Sequence, residues 1–165
     1  SSYDYGSVNS AGCVKAGTKI LTAAGDYIPI ESVHQEMGIL NCEGSASLTS
    51  DELVINDKVE KLYSINNDEP FMSLEHAILT QRGWCSLAPK LSMKINSNFK
   101  VEKLKVGDIM QKAEAVDGKI IYTEEVVERI NIADNTQNLR CYDLHFFDGF
   151  VVSPYRAYAR YCSPG

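Results

Sequence analysis

Cys13 stands where a thiol could rearrange a peptide bond. It follows Gly12 after a short polar leader, and its sulfur could attack the Gly12 carbonyl carbon and convert the amide into a thioester. Gly12 suits this chemistry because a residue without Cβ leaves its carbonyl open to attack. Such an N-to-S acyl shift needs a base for the thiol, an acid for the departing nitrogen and a donor for the oxyanion.

Candidates for the acid and the donor lie in residues 69–84, where Ser73 and His76 are spaced Ser-x-x-His ahead of an apolar run and Gly83-Trp84. Histidine, with a reference pKa of about 6.5, can donate a proton without much tuning. The Ser73 hydroxyl can donate or accept a hydrogen bond. Taken alone, a histidine on an apolar strand is more often a packed core or turn residue, and Ser73 alone indicates nothing.

A third segment, residues 139–145, contains Asp143 in the order Tyr-Asp-Leu. This carboxylate could take the Cys13 proton or activate a second nucleophile, although an aspartate at a strand end is more often a solvated turn former. We assign His145 to the strand without a catalytic role. Cys141 and His145 are the nearest Cys/His pair, but about 13 Å of extended chain separates them, so we expect no metal site.

Together and in this order, the three segments resemble the Hint superfamily of self-processing domains: inteins, bacterial intein-like domains and hedgehog autoprocessing domains. The resemblance covers residues 13–161 and includes the phrase Leu-x-Val-Gly-Asp at residues 104–108. It implies an all-β, horseshoe-like fold built from two pseudo-symmetric β-halves, and no cofactor. It also implies that Cys13 is the nucleophile, His76 protonates the nitrogen, Ser73 (where threonine is usual) steadies the oxyanion, and Asp143 assists Cys13.

The sequence departs from the family at its end. Inteins normally finish with His-Asn, and the asparagine cyclises to release the downstream segment. Here Arg160 and Tyr161 take those places, Cys162 takes that of the downstream nucleophile, Phe150 replaces a mid-segment histidine, and no asparagine follows Asn138. Cleavage at Gly12–Cys13 is therefore favoured over full splicing. We divide the chain into a flanking segment, residues 1–12, a Hint domain, residues 13–161, and a second flank, residues 162–165.

Three other functions remain open. The chain could be a catalytically inactive Hint fold that serves as a structural or binding module, which the altered C-terminal residues favour. It could be a hydrolase acting in trans with a Cys13, His76 and Asp143 triad. This hypothesis is disfavoured because the catalytic cysteine of such a hydrolase usually lies at the start of a helix, whereas strand-forming residues follow Cys13. Hedgehog-type transfer to a sterol would need a lipid-recruiting segment, and none is visible.

The bulk composition excludes several functional classes. The chain has 165 residues and a net charge of −6, which fits one domain and argues against a nucleic-acid-binding face. No stretch approaches about 18 consecutive apolar residues, so no membrane span is expected, and the N-terminus has no signal-peptide pattern. The five cysteines form no CxxC pair. We expect a monomer whose substrate is its own flanking polypeptide, with water, a thiol or an amine as acyl acceptor.

The sequence predicts mostly short strands as the elements that position the candidate site residues. Strand patterns flank turns at Gly25-Asp26, Asp117-Gly118 and Asp148-Gly149, and residues 124–132 form a β-branched run. Brief helices are compatible with residues 31–35 and with the region near Ala88. Two polar segments, residues 37–67 and 91–98, are predicted to be a loop insertion and a linker.

Overall fold

A computed structural model describes residues 12–34, 36–41, 44–48, 53–95, 100–144 and 150–157. Within these ranges the helical elements are a 3-10 turn at Ile30–Ser32 and an α-helix, α1, at Pro89–Ile95. The strands are β1 Val14–Lys15, β2 Lys19–Leu21, β3 Tyr27–Pro29, β4 Gly38–Leu40, β5 Ala46–Leu48, β6 Val54–Asn56, β7 Lys61–Ile65, β8 Met72–Ser73, β9 Ile78–Thr80, β10 Gly83–Ser86, β11 Glu102–Lys103, β12 Ile109–Val116, β13 Lys119–Val126, β14 Ile130–Asp134, β15 Cys141–Asp143, β16 Phe150–Val152 and β17 Tyr155–Ala157.

The described strands form two large open sheets and one small one. The larger has nine strands in the order β11-β10-β9-β12-β17-β16-β2-β3, with β13 paired to β12. The second has six strands in the order β14-β7-β8-β1-β15-β6, and β4 pairs with β5. The prediction of an all-β fold is confirmed. In the six-stranded sheet, strands that are far apart in sequence are neighbours, which brings distant residues together.

Two predicted hairpins are present. Strands β12 and β13 pair antiparallel from Ile109–Val126 to Val116–Lys119. The two turn residues, Asp117 and Gly118, have φ angles of 49° and 75°, as a tight hairpin turn with right-handed strand twist requires. Strands β2 and β3 pair across the Gly25-Asp26 turn. These local signals were sufficient because turn chemistry acts over a few residues.

The prediction that residues 37–67 are a loop insertion is wrong. The segment contains β4 to β7, and β7 pairs with both β14 and β8 in the six-stranded sheet. Four successive β7 residues, Leu62 to Ile65, are buried. A strand buried on both faces has no polar–apolar alternation, and its flanks here are polar, so the sequence pattern hid it.

Two further expectations need correction. The linker predicted at residues 91–98 is wrong for its first part, because α1 occupies Pro89–Ile95, next to the region near Ala88 that is compatible with a brief helix. Its buried Ser92 donates a hydrogen bond to the Glu75 carbonyl at 2.6 Å, so a polar residue faces inward and obscures the helical pattern. The β-branched run at residues 124–132 is not one strand, since β13 ends at Val126 and β14 begins at Ile130 in the other large sheet.

The main core joins the two large sheets. Its buried members come from both, including Val14, Tyr63 and Met72 from the six-stranded sheet and Ile20 and Phe150 from the nine-stranded sheet. Burial of these apolar side chains stabilises the packing of one sheet on the other. No helix in the described ranges is long and apolar enough to cross a membrane.

Candidate functional site

Strand β1 lies between β8 and β15, and Cys13 immediately precedes it. Val14 pairs with Met72 on one side and with Tyr142 on the other. Continuing each antiparallel register by one residue places Ser73 and Asp143 on opposite sides of Cys13. The order of strands therefore brings together three of the predicted site residues, which are far apart in sequence.

Ser73 is bonded to the nitrogen of the candidate scissile bond. The Cys13 N–H donates to Ser73 Oγ at 2.8 Å, and the Ser73 N–H donates to the Cys13 carbonyl at 2.8 Å. Cys13 is 0 % exposed and Ser73 is 2 % exposed, so this pair is shielded from solvent. The Cys13 nitrogen is the atom that would leave in an acyl shift, and the Ser73 hydroxyl contacts it directly.

A tight turn explains the spacing between Ser73 and His76. The His76 N–H donates to the Ser73 carbonyl at 3.0 Å, which closes a turn with Leu74 and Glu75 at its corners. The buried Tyr63 hydroxyl donates to the His76 carbonyl and holds the far end of the turn. Because a four-residue turn reverses the chain direction, Ser73 and His76 both lie next to the Gly12–Cys13 peptide bond.

Gly12 packs directly against His76. Its φ is +104°, and a Cβ built on it would lie 2.7 Å from His76 Cα and 2.8 Å from His76 Nδ1. No residue with a side chain fits this approach without a shift of the backbone. The junction between Gly12 and Cys13 is thus held against His76 on one side and Ser73 on another.

The His76 imidazole is fully buried, and this burial lowers its pKa to about 4. The Gly12 backbone raises the pKa by a smaller amount. A neighbour that raises the pKa of histidine is a hydrogen-bond acceptor, so the Gly12 carbonyl oxygen is the group that faces the ring. Neither ring nitrogen of His76 forms a hydrogen bond with any described residue. The Gly12 carbonyl is therefore near the imidazole but is not hydrogen-bonded to it. His76 is neutral near pH 7.

Apolar side chains surround His76 on its other sides. The Phe150 ring meets the imidazole edge-on, with ring centroids 6.1 Å apart and planes at 71°. Ala77, the next residue, packs with Trp84 and Val101 in a separate small cluster. Trp84, of the Gly83-Trp84 pair, therefore stabilises the turn that carries His76 by packing against Ala77. Phe150 contributes to the apolar surroundings that keep His76 neutral. The resemblance to inteins aligns Phe150 with a position that is often histidine.

Asp143 is 0 % exposed, unlike the solvated turn former that an isolated aspartate suggests. Its Oδ1 accepts a hydrogen bond from the Leu144 N–H at 2.9 Å. On the same strand, Cys141 packs with Cys13, Val59 and Leu62, and burial raises the pKa of the Cys141 thiol to about 11. Cys13 thus lies in a buried pocket of the sheet with a second, protonated thiol nearby.

Glu75 is a site residue that the sequence interpretation missed. Burial is the largest influence on its carboxyl and raises its pKa, while hydrogen bonds from its own N–H and from the Ser73 hydroxyl oppose the rise. The Ser73 hydroxyl, which accepts from the Cys13 N–H, is thus close enough to Glu75 to influence its carboxyl. Ser73 and Glu75 also line a cavity of about 490 Å³. The available signal was an acidic residue between Ser73 and His76 in an otherwise apolar segment.

Several predicted residues lie outside the described ranges. These include Cys162, expected to be the downstream nucleophile, and Arg160 and Tyr161, which the resemblance to inteins aligns with a terminal His-Asn pair. His145 lies outside them as well. Within the described ranges no group of three or more His, Cys, Asp or Glu residues is arranged to hold a metal ion.

The neutral state of buried His76 predicts a pH dependence of stability. Above pH 6.5, its ordinary pKa, histidine is neutral in both folded and unfolded chains, but as pH falls toward 4 only the unfolded chain takes up the proton. The free energy of unfolding should therefore drop by about 2 to 3 kcal/mol from this residue between neutral pH and about pH 4.5. Urea unfolding of the parent and His76→Gln at both pH values should show a smaller drop in the variant. Equal drops would contradict the assignment.

Comparison with known proteins identifies the fold. No protein-family model and no curated protein sequence matches the chain. Among solved structures, the DnaX mini-intein from Spirulina platensis has a TM-score of 0.54 at 13 % identity, covering 90 % of this chain and 98 % of that chain. A variant of the Ssp DnaB mini-intein has a TM-score of 0.58 at 12 % identity, covering 88 % and 93 %. The AceL NrdHF split intein gives 0.54 at 13 % identity, covering 90 % and 97 %. The chain has the Hint fold of inteins.

Proposed function

We propose that this chain is a self-processing domain that breaks its own Gly12–Cys13 peptide bond through an N-to-S acyl shift. Residues 13–161 would be the domain, with residues 1–12 and 162–165 as flanks. The observation that carries the proposal is the buried junction, where the Cys13 N–H is bonded to Ser73 while Gly12 packs on His76. The substrate is the flanking polypeptide, and each molecule reacts once.

In this proposal, Ser73 and His76 exchange the roles that the family resemblance implies. The contact of Ser73 with the Cys13 nitrogen supports a role at the leaving group. The approach of the Gly12 carbonyl to the imidazole supports a role for His76 at the oxyanion. A neutral imidazole can donate its N–H to developing negative charge, and a fixed donor in a buried site is most effective there.

Cys13 is the nucleophile, and Asp143 is the base. The registers of β1 with β8 and β15 put Asp143 across from Cys13, on the side opposite Ser73. This separates the group that removes the thiol proton from the groups that act on the amide. The division is useful because thiol activation and leaving-group protonation need opposite proton transfers.

The second stage is cleavage by an external acceptor rather than splicing. Tyr161 occupies the place of the cyclising asparagine, and its side chain cannot form a succinimide. Water, a thiol or an amine would take the acyl group from the Cys13 thioester, and Cys162 is a candidate internal acceptor. We propose that the domain acts as a monomer and needs no cofactor, because the named side chains account for each proton transfer.

Intact-mass analysis of the purified chain tests the proposal. The chain is incubated near neutral pH with and without dithiothreitol, which captures a thioester as it forms. Loss of residues 1–12 from the mass is expected, and it should be faster with the thiol. An unchanged mass over several days in both samples would contradict self-processing and would favour an inactive Hint fold that serves as a binding or structural module.

A further inference from the structure

We propose that Tyr63 is a positioning residue for the acyl shift, because its hydroxyl group holds the backbone of His76 against Gly12. This inference rests on the proposed function and adds to it a residue of strand β7. Tyr63 acts on the reaction through the place of His76, whereas the register of β1 with β8 holds Cys13 beside Ser73.

His76 lies in a short segment that crosses between the two large sheets. Strand β8 ends at Ser73 in the six-stranded sheet, and β9 begins at Ile78 in the nine-stranded sheet. Gly12 and Cys13 directly precede β1, which belongs to the six-stranded sheet. The position of His76 relative to the junction therefore depends on which sheet holds the crossing segment.

Both backbone polar groups of His76 are bonded to the six-stranded sheet. The His76 N–H donates to the Ser73 carbonyl at 3.0 Å, and the His76 carbonyl accepts a hydrogen bond from the Tyr63 hydroxyl. Ser73 ends β8, and Tyr63 is the middle residue of the neighbouring strand β7. The backbone that carries the imidazole is therefore fixed, through both of its polar groups, to the sheet that includes β1.

Tyr63 is itself firmly placed. It is 0 % exposed, belongs to the main core, and pairs with Met72 of β8 on one side and with Ile132 of β14 on the other. Burial raises the pKa of the Tyr63 hydroxyl above its ordinary value, so the group stays protonated and remains a donor. Because the ring is packed in the core, its hydroxyl offers the His76 carbonyl a donor at a fixed point.

Loss of this hydrogen bond would move His76. A buried carbonyl without a partner is unfavourable, so the crossing segment would shift toward another donor or toward water. A Cβ on Gly12 would lie 2.7 Å from His76 Cα, and a shift of either backbone changes so close a contact. A displacement of about 1 Å between reacting groups can slow a reaction by about 100-fold. We therefore expect Tyr63 to affect the rate of the acyl shift as well as the stability of the fold.

The first experiment compares Tyr63→Phe with Tyr155→Phe, each of which removes one buried hydroxyl and keeps the ring. Tyr155 is 1 % exposed, and its hydroxyl donates to Asp68 at 2.5 Å and accepts from the Ile65 N–H at 3.3 Å. Intact-mass analysis with dithiothreitol measures the release of residues 1–12. The rate should be about 30-fold lower in Tyr63→Phe and equal to the parent rate in Tyr155→Phe. Urea unfolding should show a loss of stability in both variants.

The second experiment separates the positioning of His76 from a general loosening of the fold. Release is measured for Tyr63→Phe, for His76→Leu and for the double variant. Leucine fills much of the buried space of histidine but has no N–H to offer the oxyanion. If Tyr63 acts through His76, Tyr63→Phe should slow the His76→Leu chain by no more than about 2-fold. A loosening of the whole fold would slow both backgrounds alike.

Near-ultraviolet circular dichroism verifies that each variant is folded. The positioning role would be overturned by Tyr63→Phe cleaving as fast as Tyr155→Phe, by His76→Leu cleaving at the parent rate, or by equal slowing of the two backgrounds. The self-processing function would stand in all three cases. If release from His76→Leu is too slow to follow, the matched tyrosine pair decides. Absence of cleavage in the parent with dithiothreitol would overturn both the positioning role and the proposed function.

Discussion

Replacing Cys13 with alanine is expected to abolish release of residues 1–12, with a rate loss of at least about 1,000-fold. The thiol would form the new bond to the Gly12 carbonyl carbon, and no other described cysteine adjoins the junction in sequence. Intact-mass analysis over several days, with and without dithiothreitol, measures the rate. Ser73 and His76 would still surround the amide, but they have no nucleophile to assist.

Cys85→Ala is the matched control for this substitution. Cys85, like Cys13, is a fully buried cysteine outside any disulfide, but it lies on β10, where its sulfur is 3.4 Å from Thr80 Oγ1. The control loses a similar amount of packing and should cleave at the parent rate. Cys13→Ser should react slowly, since a hydroxyl is a weaker nucleophile than a thiol. Cleavage of Cys13→Ala at the parent rate would rule out the acyl shift.

Replacing Gly12 with alanine is expected to slow cleavage by about 100-fold, because displacement of the reacting groups by about 1 Å can have an effect of this size. The added Cβ would overlap the His76 backbone at 2.7 Å and its ring nitrogen Nδ1 at 2.8 Å. Backbone atoms cannot rotate away as a flexible side chain can. Either the junction or the turn carrying His76 must therefore shift, and the Gly12 carbonyl then loses its place beside the imidazole.

Gly17→Ala separates this overlap from backbone strain. Gly17 has φ of +87°, close to the +104° of Gly12, but a Cβ on it would meet nothing within 4 Å. Its substitution should reduce the free energy of unfolding by about 1 to 2 kcal/mol and leave the cleavage rate unchanged. Both rates come from mass analysis, and urea unfolding gives the stabilities. If Gly12→Ala cleaves as fast as Gly17→Ala, close packing on His76 is not required.

Much of the architecture could be read from short-range patterns. The turn at Asp117-Gly118 and the alternation around Gly25-Asp26 predicted hairpins that are present, because turn chemistry is local. The order of the segments carrying Cys13, His76 and Asp143 indicated the Hint fold, which the structural neighbours support. By contrast, β7 was missed because burial of both faces removes the alternation that marks a strand.

The amino-acid sequence alone establishes which residue types are available and which of them are close along the chain: a cysteine after a glycine, a serine three residues before a histidine, and an aspartate on a later strand. Which atoms are in contact depends on how the strands pack. The direction of each N–H and carbonyl depends on strand register, and the register of β1 with β8 puts the Ser73 hydroxyl on the Cys13 nitrogen. Burial keeps His76 neutral, and the turn brings the His76 N–H to the Ser73 carbonyl. These relations depend on strands and solvent exclusion that arise only when distant segments pack together.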